Sequence, residues 1–145
     1  MISVIQRVSH ASVVVDNQTI GEIQQGIAAL VGIEKFDNLN SAEKLLKKIL
    51  NYRIFPDAQQ KMNLSLLDIS GGLLLIPQFT LVAQTNKGTR PGFSRGMPPA
   101  EGKLLFEDMV NLAKSLHPHI AGGAFGADMA IHLCNQGPVT FILND

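Results

Sequence analysis

The hydrophobic period changes once along this chain, and that change most constrains its fold. Through residue 34, apolar and polar residues alternate in the segments ISVIQRV, ASVVVD, QTIGEIQQG and IAALVGIE. A period of two is typical of half-buried strands, and turn residues at Asp16-Asn17 and Gly26 interrupt it. From Asn40 the apolar residues recur at helical spacing instead. The first third therefore predicts hairpin-linked strands, and a helix follows them.

Two amphipathic helices are predicted. The first begins at Asn40 and Ser41, whose side chains can cap free main-chain amides. The second begins at Pro98-Pro99, because proline is favoured in the first turn of a helix, and ends at His117-Pro118. The apolar stripes are Ala42, Leu45, Leu46, Ile49 and Leu50 in the first helix, and Leu104, Leu105, Met109, Leu112, Ala113 and Leu116 in the second.

The whole chain, residues 1–145, is expected to form a single domain. At this length a protein buries roughly 70% of the surface that its unfolded chain exposes, and no repeat, linker or low-complexity segment divides the sequence. Further strands are predicted at YRIF, ADMAIHLC and VTFIL, the last two separated by a tight NQGP corner. Many strands with two added helices indicate an α+β domain, not an alternating parallel α/β fold.

Composition argues against a secreted or membrane protein. Cys134 is the only cysteine, which excludes an intramolecular disulfide and favours a reducing cytosol. The start, MISVIQRVSH, has charged and polar residues too early for a signal peptide, and no apolar run approaches the roughly 20 residues of a membrane helix. We expect a soluble, unprocessed, cytoplasmic protein without a membrane partner.

Net charge does not predict a nucleic-acid partner, because twelve basic and twelve acidic residues cancel. Any contact with phosphates would depend on local patches, and for either patch alone solvated surface charge is the favoured interpretation. Two such patches are present: Lys44, Lys47, Lys48 and Arg53 in the first, and Lys87, Arg90, Arg95 and Lys103 in the second.

The longest apolar run, GGLLLIPQFTLVA, contains an unexpected polar insertion. Proline is normally absent from central strands, and Pro77 follows four apolar residues. Gln78 and Thr80 bring an amide and a hydroxyl that must be paired or hydrated if they are buried. The insertion therefore marks a sheet edge or a functional site, and the long loop 82–97 behind it favours function.

Catalytic constellations of the usual kinds are missing. The four histidines show no ligand-pair spacing, so neither a metal nor a cofactor is expected. His132 and Cys134 share a strand face, but a lone cysteine is commonly a small buried residue. Gln78, Thr80 and the NQGPVT corner could position an ester and stabilise an oxyanion. They include no general base, so catalysis would need help from the substrate.

Several motifs occur together in this chain and carry a family resemblance. They are PQFTL at 77–81, TNKGTRPGF at 85–93, FGADM at 125–129 and NQGPVTFIL at 135–143, with MISVIQRVSHASVVV at the start and NYRIFPDAQQKMN at 51–63. In this order and at these separations, they closely resemble the D-aminoacyl-tRNA deacylases over the whole length.

The resemblance implies a homodimer with a barrel-like core of mostly antiparallel sheets and an active site at the subunit interface. It implies a proofreading hydrolase for translation quality control. The substrate would be aminoacylated tRNA, cleaved at the ester between its 3′-terminal adenosine and a D-amino acid, or glycine mischarged on alanine tRNA. The products would be free tRNA and the amino acid.

The resemblance also implies roles for individual residues. Gly137 and Pro138, with a cis peptide bond in the family, would form a main-chain filter that excludes L-amino acids. Spacing alone leaves the isomer of that bond open. The residues implied to hold or activate the ester are Gln78, Phe79 and Thr80, and those implied to wall the pocket are Phe125 and Met129.

Three questions stay open at the level of sequence. Arg7 fits either a surface strand position or a brace for the neighbouring proline corner. Thr80 is a candidate nucleophile, although without a base we favour assistance from the 2′-hydroxyl of the tRNA, with the amides of Phe79 and Thr80 receiving the negative charge. Pro77 replaces the serine that is usual in the family, as in a related deacylase that removes L-alanine from threonine tRNA.

Phe79, Val139 and Phe141 follow the D-specific pattern, which favours the D-aminoacyl substrate. A non-catalytic RNA-binding module is the alternative of another class, because a base is missing and two basic patches are present. An interaction protein that pairs through the edge near Pro77 is a third possibility.

Overall fold

A computed structural model describes all of residues 1–145, and six of its eight strands form one sheet. The strands are β1 (Ile2–Val15), β2 (Gln18–Ile23), β3 (Gly26–Gly32), β4 (Phe55–Pro56), β5 (Met62–Leu64), β6 (Gly72–Pro77), β7 (Ile120–Gly122) and β8 (Ala130–Asn144). The helices are α1 (Leu39–Asn51), α2 (Leu66–Ile69) and α3 (Pro99–Leu116), and a 3₁₀ turn spans Phe79–Val82.

The long strand β1 organises the sheet. Its first half pairs antiparallel with β3, its second half pairs antiparallel with β2, and β8 pairs antiparallel along its other edge. β6 lies parallel to β3, and β7 lies parallel to β6. The sequence pattern predicts two strands here, but β1 is a single strand. It continues because neither glycine nor proline interrupts the chain at Ser9-His10.

The expected mostly antiparallel, barrel-like α+β domain is confirmed. The sheet curves until β2 approaches β7, so closely that a Cβ on Gly21 would lie 2.9 Å from the carbonyl oxygen of Gly122. β3 and β6 are buried on both faces, which explains their uninterrupted apolar sequences. Leu73 and Leu75 face the larger core under the helices, whereas Leu74 and Ile76 face a smaller core on the opposite side.

Helix α1 forms as predicted, one residue earlier than expected. Its cap is Asn38, whose side-chain oxygen accepts hydrogen bonds from the amides of Asn40 and Ser41. The two residues expected to cap are thus themselves capped. All five residues of the predicted apolar stripe are buried: Ala42, Leu45, Leu46, Ile49 and Leu50.

Helix α3 has the predicted bounds but a different buried face. Leu104 is 63% exposed and Leu116 is 39% exposed, so the stripe predicted through them is wrong at these two positions. The buried residues Gly102, Phe106 and Met109, with Ala113, recur at helical spacing on an adjacent face. The face is rotated because the Phe106 ring enters the main core.

The short helix α2 is not predicted from the sequence. Ser65 and Asp68 form a capping box: the Ser65 hydroxyl accepts from the amide of Asp68, and the Asp68 carboxylate accepts from the amide of Ser65. This S-x-x-D spacing is the available signal. None of the three helices combines the length and the hydropathy that a membrane crossing needs.

Candidate active site

An apolar cavity of about 380 Å³ lies where β6 ends. Pro77 is the last residue of that strand and pairs in parallel register with Val31. The main-chain amide of Gln78 then donates to the carbonyl of Val31 at 2.7 Å, and the chain leaves the sheet into the 3₁₀ turn. The cavity is lined by Pro77, Phe79, Val82, Phe93, Gly96, Met97, Pro99, Phe125 and Gly126.

Aromatic rings form the walls of this cavity. Phe79 is 62% exposed, and its ring centroid lies 5.2 Å from that of Phe93. Phe125 packs between the cavity and α3, because Gly102 has no side chain there: a Cβ would lie 3.1 Å from Phe125 Cζ. Exposed aromatic faces of this kind suit stacking with a planar base or ring.

The polar residues of the insertion lie beside the cavity and contact each other. The side-chain amide of Gln78 donates a hydrogen bond to the hydroxyl oxygen of Thr80. No histidine, lysine or carboxylate side chain is hydrogen-bonded to that hydroxyl in residues 1–145. The Thr80 hydroxyl therefore has no hydrogen-bonded base that could take its proton and activate it as a nucleophile.

The main-chain amides of Phe79 and Thr80 are the first two of the 3₁₀ turn. Amides at the start of a helical turn have no acceptor within that turn. They can therefore donate to an oxygen that carries negative charge. Three groups have displaced pKa values, the Met1 amine and the carboxylates of Asp68 and Asp145, and none of them lines the cavity.

The predicted NQGP corner between two strands is wrong, because β8 runs through it as one strand with a bulge. Gln6 pairs with Thr140 and Val8 pairs with Asn135, so the four residues 136–139 lie opposite Arg7 alone. We name residues 136–139 the Gly-Pro bulge. The peptide bond between its central residues, Gly137 and Pro138, is cis.

Arg7 contacts the Gly-Pro bulge directly. Its Nε donates to the carbonyl of Gln136 at 2.9 Å, and its Nη1 donates to the carbonyl of Ile54 at 2.7 Å. Gly137 has φ of +135°, and a Cβ there would lie 2.7 Å from Val139 Cγ2 and 3.0 Å from Arg7 Nη2. Only glycine fits this backbone and this space.

Asn135 also holds the bulge, although it stands out in the sequence only as part of the NQGPVT corner. Its side-chain oxygen accepts from the amide of Val139 at 2.8 Å, and its side-chain nitrogen donates to the hydroxyl of Thr140 at 3.0 Å. Asparagine side chains commonly bond main chain a few residues ahead in turns, which is the signal available in the sequence.

Within this chain the two halves of the expected site lie apart. Arg7, next to the bulge, pairs with Ile27 on β3, whereas Pro77 pairs with Val31, four residues further along that strand. Strand geometry separates the bulge from the cavity by roughly 13 Å along the strands and roughly 14 Å across three strand spacings. Neither Gly137 nor Pro138 lines the cavity.

The two residues from the FGADM motif have different positions. Phe125 lines the cavity, whereas Met129 does not. Met129 packs with the smaller core, and a Cβ on Gly123 would lie 2.9 Å from its sulfur and 3.2 Å from Pro77 Cδ. Met129 therefore supports the cavity from behind Pro77.

Further walls come from the loop that the sequence marks as functional by its length. The sequence does not single them out individually, since their proximity to β6 depends on the tertiary fold. Phe93 is the strongest signal among them, as a large apolar residue in an otherwise polar loop. Val82, Gly96 and Met97 belong to the same loop, whereas Pro99 begins α3 and Gly126 lies between β7 and β8.

Comparisons with known proteins agree along the whole chain. Residues 4–144 match the family described as D-Tyr-tRNA(Tyr) deacylase. A relative from Pseudoalteromonas atlantica, described as a D-aminoacyl-tRNA deacylase, is 58% identical over 144 residues, which are 99% of each chain. A relative from Pseudomonas paraeruginosa with the same description is 52% identical over 143 residues, again 99% of each chain.

Solved structures agree with the fold. One described as c-Myc DNA Unwinding Element Binding Protein has a TM-score of 0.94 at 35% identity, covering 100% of this chain and 99% of that one. Another, described as a probable eukaryotic D-amino acid tRNA deacylase, has a TM-score of 0.86 at 14% identity, covering 99% and 98%, and supports the fold alone. By sequence along its length, the chain belongs to the D-Tyr-tRNA(Tyr) deacylase family of hydrolases.

Proposed function

We propose that the protein hydrolyses the ester of D-aminoacyl-tRNA, releasing free tRNA and the D-amino acid. The observation that carries the proposal is the cavity walled by phenylalanines directly beside Gln78 and Thr80. A planar adenine can stack on the exposed rings while the ester lies against the polar pair. An enzyme acting on charged tRNA would work in the cytoplasm.

The active site is completed by a second copy of the chain. The Gly-Pro bulge lies too far from the cavity of its own protomer to contact a substrate bound there. Pro138 is exposed and so is available to a partner. In a homodimer the bulge of one protomer faces the cavity of the other, which places the active site at the subunit interface.

Chirality is selected by exclusion. Arg7 and Asn135 fix the main chain of the bulge, so the carbonyls at Gly137 and Pro138 form a wall that side-chain rotation cannot relax. An L side chain at the substrate's α-carbon collides with this wall, whereas a D side chain points away. Glycine has no side chain to collide, so glycyl-tRNA mischarged on alanine tRNA is also a substrate.

The substrate supplies the missing base. Water attacks the ester carbonyl with the 2′-hydroxyl of the terminal adenosine assisting, and the amides of Phe79 and Thr80 receive the developing negative charge. The bond between the carbonyl carbon and the 3′-oxygen then breaks, and that oxygen takes the proton that the attacking water loses. Thr80 orients the ester through its contact with Gln78, without acting as a nucleophile.

A deacylation assay with four charged tRNAs tests the proposal. D-tyrosyl-tRNA and glycyl-tRNA should lose their aminoacyl ester at substoichiometric protein. L-tyrosyl-tRNA and threonine tRNA mischarged with L-alanine should not. Comparable loss of the L-tyrosyl ester would refute the chiral filter. Faster loss of the L-alanyl ester would assign the activity of the related deacylase that shares the proline at position 77. Binding that protects every ester would identify a non-catalytic module.

A further inference from the structure

The loop that follows the apolar run concentrates positive charge in a chain of zero net charge. From Ile69 to Ala100 the sequence contains no aspartate or glutamate, but it contains Lys87, Arg90 and Arg95. A cluster of one sign attracts a partner of the opposite sign even when the whole molecule is neutral. This stretch of the sequence therefore carries three cations and no anion.

The cations of this loop are also less occupied than those of the other basic patch. Lys87 and Arg90 are exposed and form no ion pair or hydrogen bond within residues 1–145. Arg95 is paired with Glu34. In the other patch three of the four cations have partners. Lys47 pairs with Glu43, Lys48 donates to the carbonyl of Asn144, and Arg53 donates to the carbonyl of Asn63.

The main chain presents Lys87 and Arg90 together. Gln84 and Gly92 exchange hydrogen bonds of 2.7 and 3.0 Å between their main chains, which closes residues 84–92 into a narrow loop. Lys87 and Arg90 lie in this loop, above a cleft of about 560 Å³. We name it the basic cleft; its polar lining includes Gln84, Thr85, Asn86, Lys87, Arg90 and Arg95.

The basic cleft adjoins the apolar cavity, and residues 92–96 lie between them. Phe93 and Gly96 line the cavity, whereas their chain neighbours Gly92 and Arg95 line the cleft. The two spaces therefore lie on opposite sides of residues 92–96. The Phe93 ring also contacts Phe79, so the loop is anchored to the cavity wall.

We propose that the basic cleft binds the phosphates of the unpaired 3′ end of the tRNA, immediately before the terminal nucleoside in the apolar cavity. This inference rests on the proposed function. Lys87 and Arg90 neutralise phosphate charge, and the amide and hydroxyl groups of Gln84, Thr85 and Asn86 complete the lining. The contacts are independent of base identity, which suits an enzyme that meets many tRNAs sharing one 3′ end.

Binding to uncharged RNA tests the cleft without requiring hydrolysis. The probe is a short single-stranded RNA ending in CCA, and its binding is measured by fluorescence anisotropy across a salt series. The double variant Lys87→Gln/Arg90→Gln should bind roughly tenfold more weakly at low salt, with a salt slope smaller by roughly 1 to 2. The control Lys44→Gln removes an exposed lysine of the other patch and should bind as the wild type does.

A kinetic comparison separates this inference from the proposed function. With D-tyrosyl-tRNA the double variant should lose roughly tenfold in kcat/KM, whereas with D-tyrosyl-adenosine, which has no phosphate, it should match the wild type. Equal RNA binding and equal salt slopes for variant and wild type would overturn the inference. So would an equal loss on both substrates. If the wild type hydrolyses neither substrate, the proposed function itself is overturned.

Discussion

Arg7 on β1 holds the carbonyl of Gln136 on β8 through its Nε at 2.9 Å, at the start of the Gly-Pro bulge. The same guanidinium holds the carbonyl of Ile54 through Nη1 at 2.7 Å. Two carbonyls from distant parts of the chain are thus fixed by one planar fork. A lysine ammonium lacks this fork geometry, so the pair depends on arginine.

We expect Arg7→Lys to loosen the bulge while the fold persists. The variant should lose about tenfold or more in kcat/KM for D-tyrosyl-tRNA, since each charge-assisted hydrogen bond is worth roughly 1.5 to 3 kcal/mol. Its discrimination against L-tyrosyl-tRNA should also fall, because a mobile main chain excludes less well. Deacylation rates with both substrates measure this.

Arg53→Lys is the matched control for that variant. Arg53 also donates through Nε to a main-chain carbonyl, that of Asn63, at 2.6 Å, and it does not contact the bulge. Its replacement should leave both deacylation rates unchanged. Equal rates for Arg7→Lys and wild type would show that Arg7 occupies a surface strand position without a role in the site.

Gly102→Ala should affect the cavity more than the stability. Alanine in a helix gains up to about 1 kcal/mol over glycine, but the new Cβ would lie 3.1 Å from Phe125 Cζ. Phe125 borders empty space, so its ring should shift into the cavity. We expect the free energy of unfolding to change by less than about 1 kcal/mol.

The activity of Gly102→Ala should fall because its cavity is smaller. A loss of about tenfold in kcat/KM corresponds to about 1.4 kcal/mol of lost transition-state binding. Asn111→Ala, on the exposed face of the same helix, is the control for the helix itself and should keep full activity. Unaltered kinetics in Gly102→Ala would argue that the substrate does not occupy the cavity.

Some of this fold could be predicted from local pattern and some could not. The predicted stripe of α1 is correct because every apolar residue at helical spacing also faces the core. The predicted stripe of α3 is wrong at Leu104 and Leu116 because leucines at the right spacing compete with Phe106, and packing against other elements decides between the two faces. Pattern alone cannot resolve adjacent faces.

The candidate site divides in the same way. Gln78 and Thr80 stand out locally, as polar residues in an apolar run, and they do contact each other. The bulge depends on register between strands at opposite ends of the chain, with Gln6 opposite Thr140 and Val8 opposite Asn135. No local pattern contains that register. The walls of the cavity likewise come from segments that only the fold brings together.

The amine of Met1 predicts a pH dependence of stability. Burial alone lowers its pKa, but hydrogen bonds to the carboxylates of Asp145 and Asp37, at 2.6 and 2.7 Å, outweigh burial and raise it above 8.0. The hydrogen bond from the amine lowers the pKa of Asp145 below 3.8. The amine's contribution is complete below pH 8.0 and is lost as pH rises through the raised pKa. The contribution of Asp145 is complete above pH 3.8 and is lost as pH falls through the lowered pKa.

Asp145→Asn should therefore destabilise the protein most between pH 3.8 and pH 8.0. At neutral pH we expect a loss of about 1 kcal/mol in the free energy of unfolding, because Asp145 is exposed and solvent screens its pair with the amine. Urea denaturation of protein with a free Met1 amine measures it. The difference from wild type should shrink above pH 8.0 and below pH 3.8.

Glu43→Gln is the control for this pH dependence. It removes an exposed pair with Lys47, which should be worth less than about 0.5 kcal/mol. A loss in Asp145→Asn that stays constant from acid to alkaline pH would show that its contacts do not depend on the charges of Met1 and Asp145.

Removing the hydroxyl of Thr80 distinguishes the two mechanisms. That hydroxyl accepts a hydrogen bond from Gln78 and has no base beside it, so Thr80→Ala should retain much of the activity. A D-tyrosyl-tRNA ending in 2′-deoxyadenosine should be hydrolysed poorly by the wild type, because the assisting group is then missing from the substrate. Single-turnover rates with both substrates, alongside binding measurements, separate chemistry from affinity. If Thr80→Ala abolishes turnover while binding and folding stay intact, and the deoxy substrate reacts normally, the threonine is the nucleophile and assistance by the substrate is refuted.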